Sequence, residues 1–369
     1  MKIAVTGASG FIGKNLISRL QRLEEVELVE ITRNTSVDDY SSLLENVDVI
    51  YHLAGVNRPK TEEEFTTGNT DLTEQLIRHL GGEKCPVFVM SSSTQALIDN
   101  PYGISKKRAE DLVVEATNQG KLKGVIYRLP GVFGKWSKPN YNSVISTFCH
   151  NVAHGKPLEI RDPNYTFPVV YVDDVVEQFL EQISHDSVEN ECKYEEIRTV
   201  FNVSLGYLAK TISSFPTNRE TLIAPAVGDT LTKYLYSTYL SYLPEDQFAY
   251  PMELKVDNRG DLFEWIKSEA FGQVFISTTK PGITRGNHYH HTKTEKFLVI
   301  RGEAVIRFRH IFSDRVIEYP VNGKEPKVVD IPTGYTHNIT NVGDTELITL
   351  FWANEIFDQN RTDTYFLEV

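Results

Sequence analysis

The feature that most constrains this 369-residue chain is a change of period part-way along it. Up to about residue 240, short β-rich runs alternate with helical stretches. Beyond about 250 the helical period vanishes and one β-type run follows another. Strand candidates in the first part are KIAVT (2–6), VELVEI (26–31), VDVIYHL (47–53), PVFVMSS (86–92) and GVIYRL (124–129). Helical stretches cover 11–22, 62–80 and 103–117. Such alternation builds βαβ units and a parallel sheet flanked by helices. The order is lost after about 135, and FPVVYVDDVVEQFLEQI (167–183) and TVFNVSLG (199–206) read as pieces that complete the domain. In the second part FGQVFIST, EKFLVIRGEAVIRFRHI, RVIEYPV, KVVDIP and ELITLFWA are separated by Gly, Asn, Asp and Pro. That is the pattern of an antiparallel sandwich or barrel. Two prolines in SYLPEDQFAYP (241–251) mark the linker. The expectation is an α/β Rossmann-like, doubly wound parallel sheet over 1–243, followed by an all-β domain over 252–369.

Charge and cysteine usage narrow the class of function. The net charge of −12 argues against a non-specific hold on nucleic acid, so an anionic ligand must be gripped by local Arg, His and backbone N–H groups. Cys85, Cys149 and Cys192 are odd in number and form no CxxC pair. A disulfide framework is therefore not expected, and a reducing cytoplasm is the expected compartment. MKIAVTG reads at once as strand and turn, without a secretory signal, and no apolar run approaches the ~18 residues of a membrane span.

Chemistry in the first part begins at TGASGFIG. Gly7, Gly10 and Gly13, with Ser9, Phe11 and Ile12 among them, lie directly after the first strand and at the mouth of the first helix. Small residues there let the backbone approach a pyrophosphate, and the helix N-terminus offers N–H groups and partial positive charge. The residue after the second strand separates NAD from NADP. Glu30 lies within that strand, whereas Arg33 opens the following loop, so NADP(H) is expected. Further on, Tyr102 and Lys106 of YGISK share one helical face. A nearby ammonium favours phenolate and is expected to lower the tyrosine pKa, making Tyr102 a general acid for hydride addition to a carbonyl.

TGASGFIG, VDVIYHLAG, VMSSS, YGISK, YRLPGVFG and YVDDVV, in this order, resemble the extended short-chain dehydrogenase/reductase family over about residues 1–240. The resemblance implies that Gly7, Gly10 and Gly13 hold the pyrophosphate of the cofactor and that Ala54 and Gly55 pack beside it. It implies that Ser93 or its neighbour Thr94 bonds the substrate carbonyl, with Tyr102 as acid and Lys106 as its activator. Arg128 and Asp173 match residues near the substrate pocket and equally suit a structural role. The stretch from serine to tyrosine is shorter than in relatives, which leaves Ser92, Ser93 and Thr94 open as the catalytic hydroxyl. Sugar 4,6-dehydratases of this family carry an Asp–Glu pair where this chain has Thr94 and Gln95. Reduction or 4-epimerisation is therefore expected rather than dehydration.

The second part concentrates metal-type donors. His288 and His290 project from one face of a strand, Glu295 follows after a short turn, and His337 lies in PTGYTHNITN. Three imidazoles and a carboxylate suit zinc or another divalent metal. Gly282, His288, His290, Glu295 and Gly302, then Pro332, Gly334, His337 and Asn341, resemble the two motifs of the cupin superfamily. Pro326 stands where the second motif usually opens with Gly. The resemblance covers about 252–369 and implies a cupin barrel with His288, His290, Glu295 and His337 as metal ligands. DNRGDLFEW and TRGNHYH also resemble cupin nucleotide-sugar 3,5-epimerases and 3,4-ketoisomerases, in which the histidine at the His288 position of the epimerases is a general base. The complete donor set favours the metal, and Arg285 becomes a candidate for an anionic substrate group.

A reductase fused to this cupin resembles bifunctional enzymes of capsular polysaccharide synthesis. That resemblance implies C3 epimerisation of a UDP-linked 4-keto-6-deoxy-N-acetylhexosamine by the cupin, then NADPH-dependent reduction at C4. The alternative is a keto-sugar reductase, or a 4-epimerase recycling NAD, with a cupin that only binds metal. Neither nucleic acid nor a membrane is an expected partner. A homodimer is expected, with the Tyr and Leu residues of 228–240 covering its interface.

Overall fold

A computed structural model of the chain describes residues 1–184 and 191–369. Two compact units emerge: Met1–Ser213 with Lys233–Pro244, and Ser214–Thr232 with Glu245–Val369.

The first unit is built on six parallel strands in the order Glu27–Ile31, Lys2–Thr6, Val49–His52, Val87–Ser93, Lys123–Leu129 and Lys193–Glu195. Their side chains alternate, so both faces need cover. Ile3, Val5 and Val89 pack on one face with Leu16 of helix Phe11–Leu20 and Phe179 of helix Val172–Glu181. Ala4, Ile50, Phe88 and Met90 pack on the other with Leu76 of helix Leu72–Arg78 and Val113 of helix Pro101–Asn118. The sheet is thus doubly wound. The chain reverses direction across it beside Lys2–Thr6, which pairs with Glu27–Ile31 on one side and Val49–His52 on the other. Ligands of such sheets bind beyond the carboxyl ends of the strands at that reversal.

Four features depart from the sequence expectation. The helix expected over 62–80 is interrupted: Glu63–Phe65 and Leu72–Arg78 flank a π-helical turn, Thr66–Asp71. After Gly131–Phe133 the chain leaves the main sheet for a smaller one with Thr166–Tyr171 and Phe201–Ser204, passing through a helix, Val144–Ala153, capped by Ser143. The sixth strand is only KYE and is too short and polar to show a period. In helix Thr230–Leu240, Leu235 and Tyr239 are buried within the chain itself, and Tyr234 stacks on Tyr171 at 3.9 Å. Of the side chains expected at a subunit interface, Leu235 and Tyr239 thus pack inward, while Leu240 stays exposed.

The second unit is the expected all-β cupin barrel. One sheet runs Lys255–Asp257, Gly260–Ser268, Gly272–Thr279, Leu347–Ala353, Glu295–Arg301 and Val328–Ile331. The other runs Val316–Asn322, Glu303–His310, Tyr335–Asn341, Thr284–Tyr289 and Tyr365–Phe366. Phe297, Val299 and Phe351 of the first sheet meet Ile306, Phe308 and Ile339 of the second in a single core. Among the described residues no helix is long and apolar enough to cross a membrane.

Candidate active site and metal centre

The Gly-rich turn sits at the carboxyl end of Lys2–Thr6. Gly7 has φ +69°, and a Cβ there would lie 2.7 Å from the Ala54 nitrogen. A Cβ on Gly13 would lie 2.2 Å from the Gly7 carbonyl oxygen. Side chains are therefore excluded where helix Phe11–Leu20 begins at Gly10, Phe11 and Ile12, with Ser9 on the rim. This cradle fits a dinucleotide pyrophosphate. Ala54 and Gly55 line the neighbouring strand end, and the Ala54 N–H donates to the Thr6 hydroxyl at 3.2 Å. Arg33 is exposed in the turn after Glu27–Ile31, where the Thr32 N–H bonds the Thr35 hydroxyl at 3.0 Å. Arg33 thus opens the loop after the second strand, the place where dinucleotide-binding folds set their choice between NAD and NADP.

Helix Pro101–Asn118 carries the candidate catalytic pair. It starts with Pro101 after Asn100, whose side chain accepts from the Gly103 N–H at 2.8 Å. Ser93 lies near enough to the Tyr102 hydroxyl to favour its ionised form, and the Tyr102 ring packs against Phe65 at 5.7 Å. Lys106 is buried and donates to the Ser91 carbonyl at 2.8 Å. The expected fall in the Tyr102 pKa is not observed: burial raises it, and nearby Ser93 opposes that rise. Lys106 moves the other way, because burial disfavours its charge and brings it down to about 8 against the pull of Glu110. Tyr102 therefore holds its proton at neutral pH, the state a proton donor needs.

Of the three hydroxyl candidates, Ser92 is buried and donates to Glu110 at 2.5 Å, Ser93 faces Tyr102, and Thr94 is exposed. Arg128 is tied to fully buried Glu110 through Nε at 3.1 Å and Nη2 at 2.7 Å, and it lies over the Tyr194 ring at 4.5 Å. Both edges of that contact brace helix Pro101–Asn118 against strand Lys123–Leu129. Asp173 pairs with Lys135 at 2.8 Å.

In the barrel, His288, His290, Glu295 and His337 converge, with donor atoms all within 4.8 Å of one another. Strand register explains the convergence. Gly286 pairs with Asn338, yet His288 pairs with His337, so Asn287 is an extra residue. This bulge, with Gly286 at φ +105° and Asn287 at +61°, turns His288 to face His337. The Glu295 carboxylate lies 3.2 Å from His290 Nε2 and 3.4 Å from His337 Nε2. Those imidazoles hold the carboxyl well below its usual range against the effect of burial. His337 is fully buried, and its Nε2 makes no hydrogen bond despite the nearby carboxylate. An orphaned imidazole nitrogen beside an anionic oxygen fits a divalent cation between them. Burial, then the charges of His337 and His290, push His288 down to about 4. Arg285 bonds the Thr279 hydroxyl and the Thr278 carbonyl, both at 3.0 Å, and burial and nearby Arg259 lower its pKa.

A model of the NAD dependent epimerase/dehydratase family matches residues 3–202. The chain belongs to this family. It is an enzyme of that oxidoreductase and epimerase class, and family membership supports a nicotinamide cofactor in the Gly-rich cradle. A polysaccharide biosynthesis C-terminal domain matches residues 255–365. A UDP-2-acetamido-2,6-β-L-arabino-hexul-4-ose reductase of Pseudomonas aeruginosa is 43% identical, over 99% of this chain and 98% of its own. The capsular polysaccharide assembling protein CapF of Staphylococcus aureus superposes with a TM-score of 0.92 at 45% identity, with both chains covered completely. That likeness agrees with the two-domain resemblance read from the motifs. A UDP-glucuronic acid 4-epimerase of Bacillus cereus, 18% identical with a TM-score of 0.55 over 66% of this chain and 99% of its own, shares the fold.

Within the family fold, two residues at the first site escaped the sequence reading. Asn69 is buried in the π-helical turn and accepts from the Val56 N–H at 2.9 Å. It donates to the Val56 carbonyl at 2.9 Å and to the Ser105 hydroxyl at 3.0 Å. One amide thus ties the loop after Gly55 to helix Pro101–Asn118, and the extra residue of a π turn lets it point there. Glu110 is the other, one helical turn beyond Lys106. Its signal was available in YGISKKRAE, where a carboxylate falls on the buried face.

Proposed function

We propose that this enzyme converts a UDP-linked 4-keto-6-deoxy-N-acetylhexosamine in two steps, C3 epimerisation in 252–369 and then NADPH-dependent reduction at C4 in 1–243, supplying a capsular polysaccharide precursor. The observation that carries the substrate is the match to the Pseudomonas reductase, which spans both halves of the chain. Carbonyl chemistry sets the order. A proton on C3 is acidic only while C4 is a ketone, so epimerisation precedes reduction.

NADPH, when bound, supplies the hydride. Backbone N–H groups from Phe11 to Gly13 would hold its pyrophosphate, the Gly10 N–H being spent on the Gly7 carbonyl at 2.8 Å, and Arg33 would meet the 2′-phosphate that distinguishes it from NADH. Tyr102 passes its proton to the C4 oxygen, Ser93 keeps the phenol and the carbonyl aligned, and buried Lys106 sits one turn behind. A nascent alkoxide is far more basic than phenolate, so the raised pKa of Tyr102 does not hinder the transfer. In the barrel a divalent ion, for which three imidazoles and a carboxylate suit zinc, supplies positive charge for oxygen anions. A CapF structure carries the inhibitor 3-isopropenyl-tropolone. The adjacent oxygens of a tropolone chelate divalent metals, chemistry that suits such a centre here. Arg285 is the candidate for the anionic part of the substrate. A second reading makes His288 the base, since it is neutral at physiological pH. A metal-free chain that still epimerises would favour it.

The reading includes a cytoplasmic homodimer. Three unpaired cysteines suit a reducing compartment, and a monomer in sedimentation would remove the dimer. The decisive test supplies a UDP-4-keto-6-deoxy-N-acetylhexosamine with NADPH and identifies products by NMR. The expected product is an alcohol at C4 with C3 inverted, formed with stoichiometric NADPH consumption. Turnover without net NADPH loss would replace the reading with a 4-epimerase that recycles its cofactor.

A further inference from the structure

The C-terminal segment has no role in the chemistry above, yet it grips the donor cluster at several points. Its strand Tyr365–Phe366 pairs with Thr284–Tyr289, placing Phe366 opposite His288. Just before that strand, Asp363 adopts φ +40°, a left-handed conformation that side chains rarely take. Its carboxylate accepts from three successive N–H groups, His291 at 3.0 Å, Thr292 at 2.8 Å and Lys293 at 2.7 Å, and from the Thr292 hydroxyl at 3.0 Å. Those hydrogen bonds hold the carboxyl well below its usual range. The Asp363 carbonyl meanwhile lies 2.5 Å from His290 Nδ1. On either side of it, buried Lys293 donates to the Thr362 carbonyl at 2.7 Å and the Thr364 hydroxyl at 2.8 Å.

We propose that Asp363 is a positioning residue for the barrel's donor cluster, clasping the turn between His290 and Glu295 and fixing which nitrogen of His290 faces inward. The argument rests on the metal reading above. A carbonyl oxygen only accepts, so Nδ1 of His290 carries a proton, and with a cation between Nε2 and the Glu295 carboxylate 3.2 Å away, Nε2 would present its lone pair to that cation. The same residue pins His291 to Lys293, the segment whose shape sets the position of Glu295. Both ligands are thereby ordered by one residue that touches neither metal nor substrate, and outer partners of this kind tune metal affinity. Asp, unlike most residues, tolerates the left-handed backbone that lets carboxylate and carbonyl act on opposite sides.

The test uses the full-length chain stripped by chelator, with Zn2+ binding measured by competition against a chromophoric chelator. Asp363→Ala should weaken Zn2+ roughly 10–100-fold. Asp363→Asn, whose amide oxygen still accepts and whose backbone tolerates the same φ, should recover most of that loss. Asp358→Ala, in the same tail but paired with Arg361, should bind as the unmodified chain does. Unchanged β-type circular dichroism and an unchanged unfolding transition of the barrel show that the variants are folded, since Asp363 lies in that unit. Nitrogen-15 shifts of the His290 ring, assigned with His290→Gln, give a readout that needs no metal. Nδ1 should be the protonated site in the unmodified chain, and a tautomer mixture should appear in Asp363→Ala. If the unmodified chain binds Zn2+ and Asp363→Ala binds it equally well, the clasp is overturned while the metal centre stands. If the unmodified chain takes no Zn2+, the metal reading fails, and the ring shifts alone decide the clasp: a tautomer change in Asp363→Ala supports it and identical shifts overturn it.

Discussion

Each unit of this chain buries a histidine at the heart of its site, and the two are used in opposite ways. His52 ends the third strand of the α/β unit, with Nδ1 2.8 Å from the Thr6 hydroxyl and Nε2 2.9 Å from the Thr73 hydroxyl. Both nitrogens are satisfied by neutral partners, and burial pushes the ring down to about 3. His337 in the barrel is as deeply buried, but its Nε2 has no hydrogen bond and points at a carboxylate 3.4 Å away. A buried polar atom without a partner is costly unless something absent from the protein completes it. The first histidine is therefore structural, and the second keeps a nitrogen that the proposed metal centre would use. The contrast extends to the units themselves. On the proposed reading, the ligand-holding groups of the α/β unit would be backbone N–H groups of one contiguous turn, whereas those of the barrel would be side chains assembled by strand register.

The largest expected effects separate the two sites. Tyr102→Phe should slow NADPH oxidation by roughly two orders of magnitude or more while NADPH still binds. The same variant, incubated with keto-sugar in D2O, should still exchange the C3 proton. His337→Ala should do the reverse. Elemental analysis should fall from about one divalent ion per chain, the donor count of one site, to near none. Reduction should continue but give the other C3 configuration. Loss of C3 exchange in Tyr102→Phe would merge the two sites into one and break the comparison.

The same contrast explains what was legible beforehand. TGASGFIG and YGISK are contiguous, so their chemistry is written in neighbouring letters, and the strands they follow are apolar enough to be read directly. The donors of the barrel were legible by type and spacing. The bulge that brings His288 opposite His337 was not, because register is a property of two strands and Asn287 looks like any polar residue between them. Asn69 was hidden for a related reason: its π turn keeps a helical pattern while shifting one residue round the helix. The Tyr102 pKa was misjudged because burial, which no local spacing reveals, raises it against the influence of Ser93. The Tyr and Leu residues of 228–240 were apolar enough for an interface, and only the fold shows that Tyr234 already has a partner in Tyr171.

A smaller effect tests the cradle itself. Arg33→Asp removes one charge-assisted hydrogen bond from the proposed 2′-phosphate contact and should weaken NADPH by about 1.5–3 kcal/mol. NADH should be affected much less. Titration of both cofactors by fluorescence checks this, and equal use of NADH and NADPH by the unmodified enzyme would remove Arg33 from cofactor selection.

The smallest effect sharpens the histidine comparison. In the unfolded chain His52 takes up a proton below about 6.5, but in the folded chain it stays neutral down to about 3. The unfolded state thus binds more protons across that window, so stability falls as the pH falls through it. The slope is about 1.4 kcal/mol for each pH unit below the unfolded value. His52→Gln keeps groups able to bond Thr6 and Thr73 but cannot titrate. Urea unfolding of the α/β unit should show the unmodified chain losing roughly 1 kcal/mol more than the variant between pH of about 6.5 and about 5.5, where the slope is still rising to its full value. Metal content should be identical in the two chains, because His52 lends no nitrogen to a cation. Parallel pH profiles would mean that His52 gains its proton without unfolding, and a fall in bound metal would mean that it is not scaffold alone.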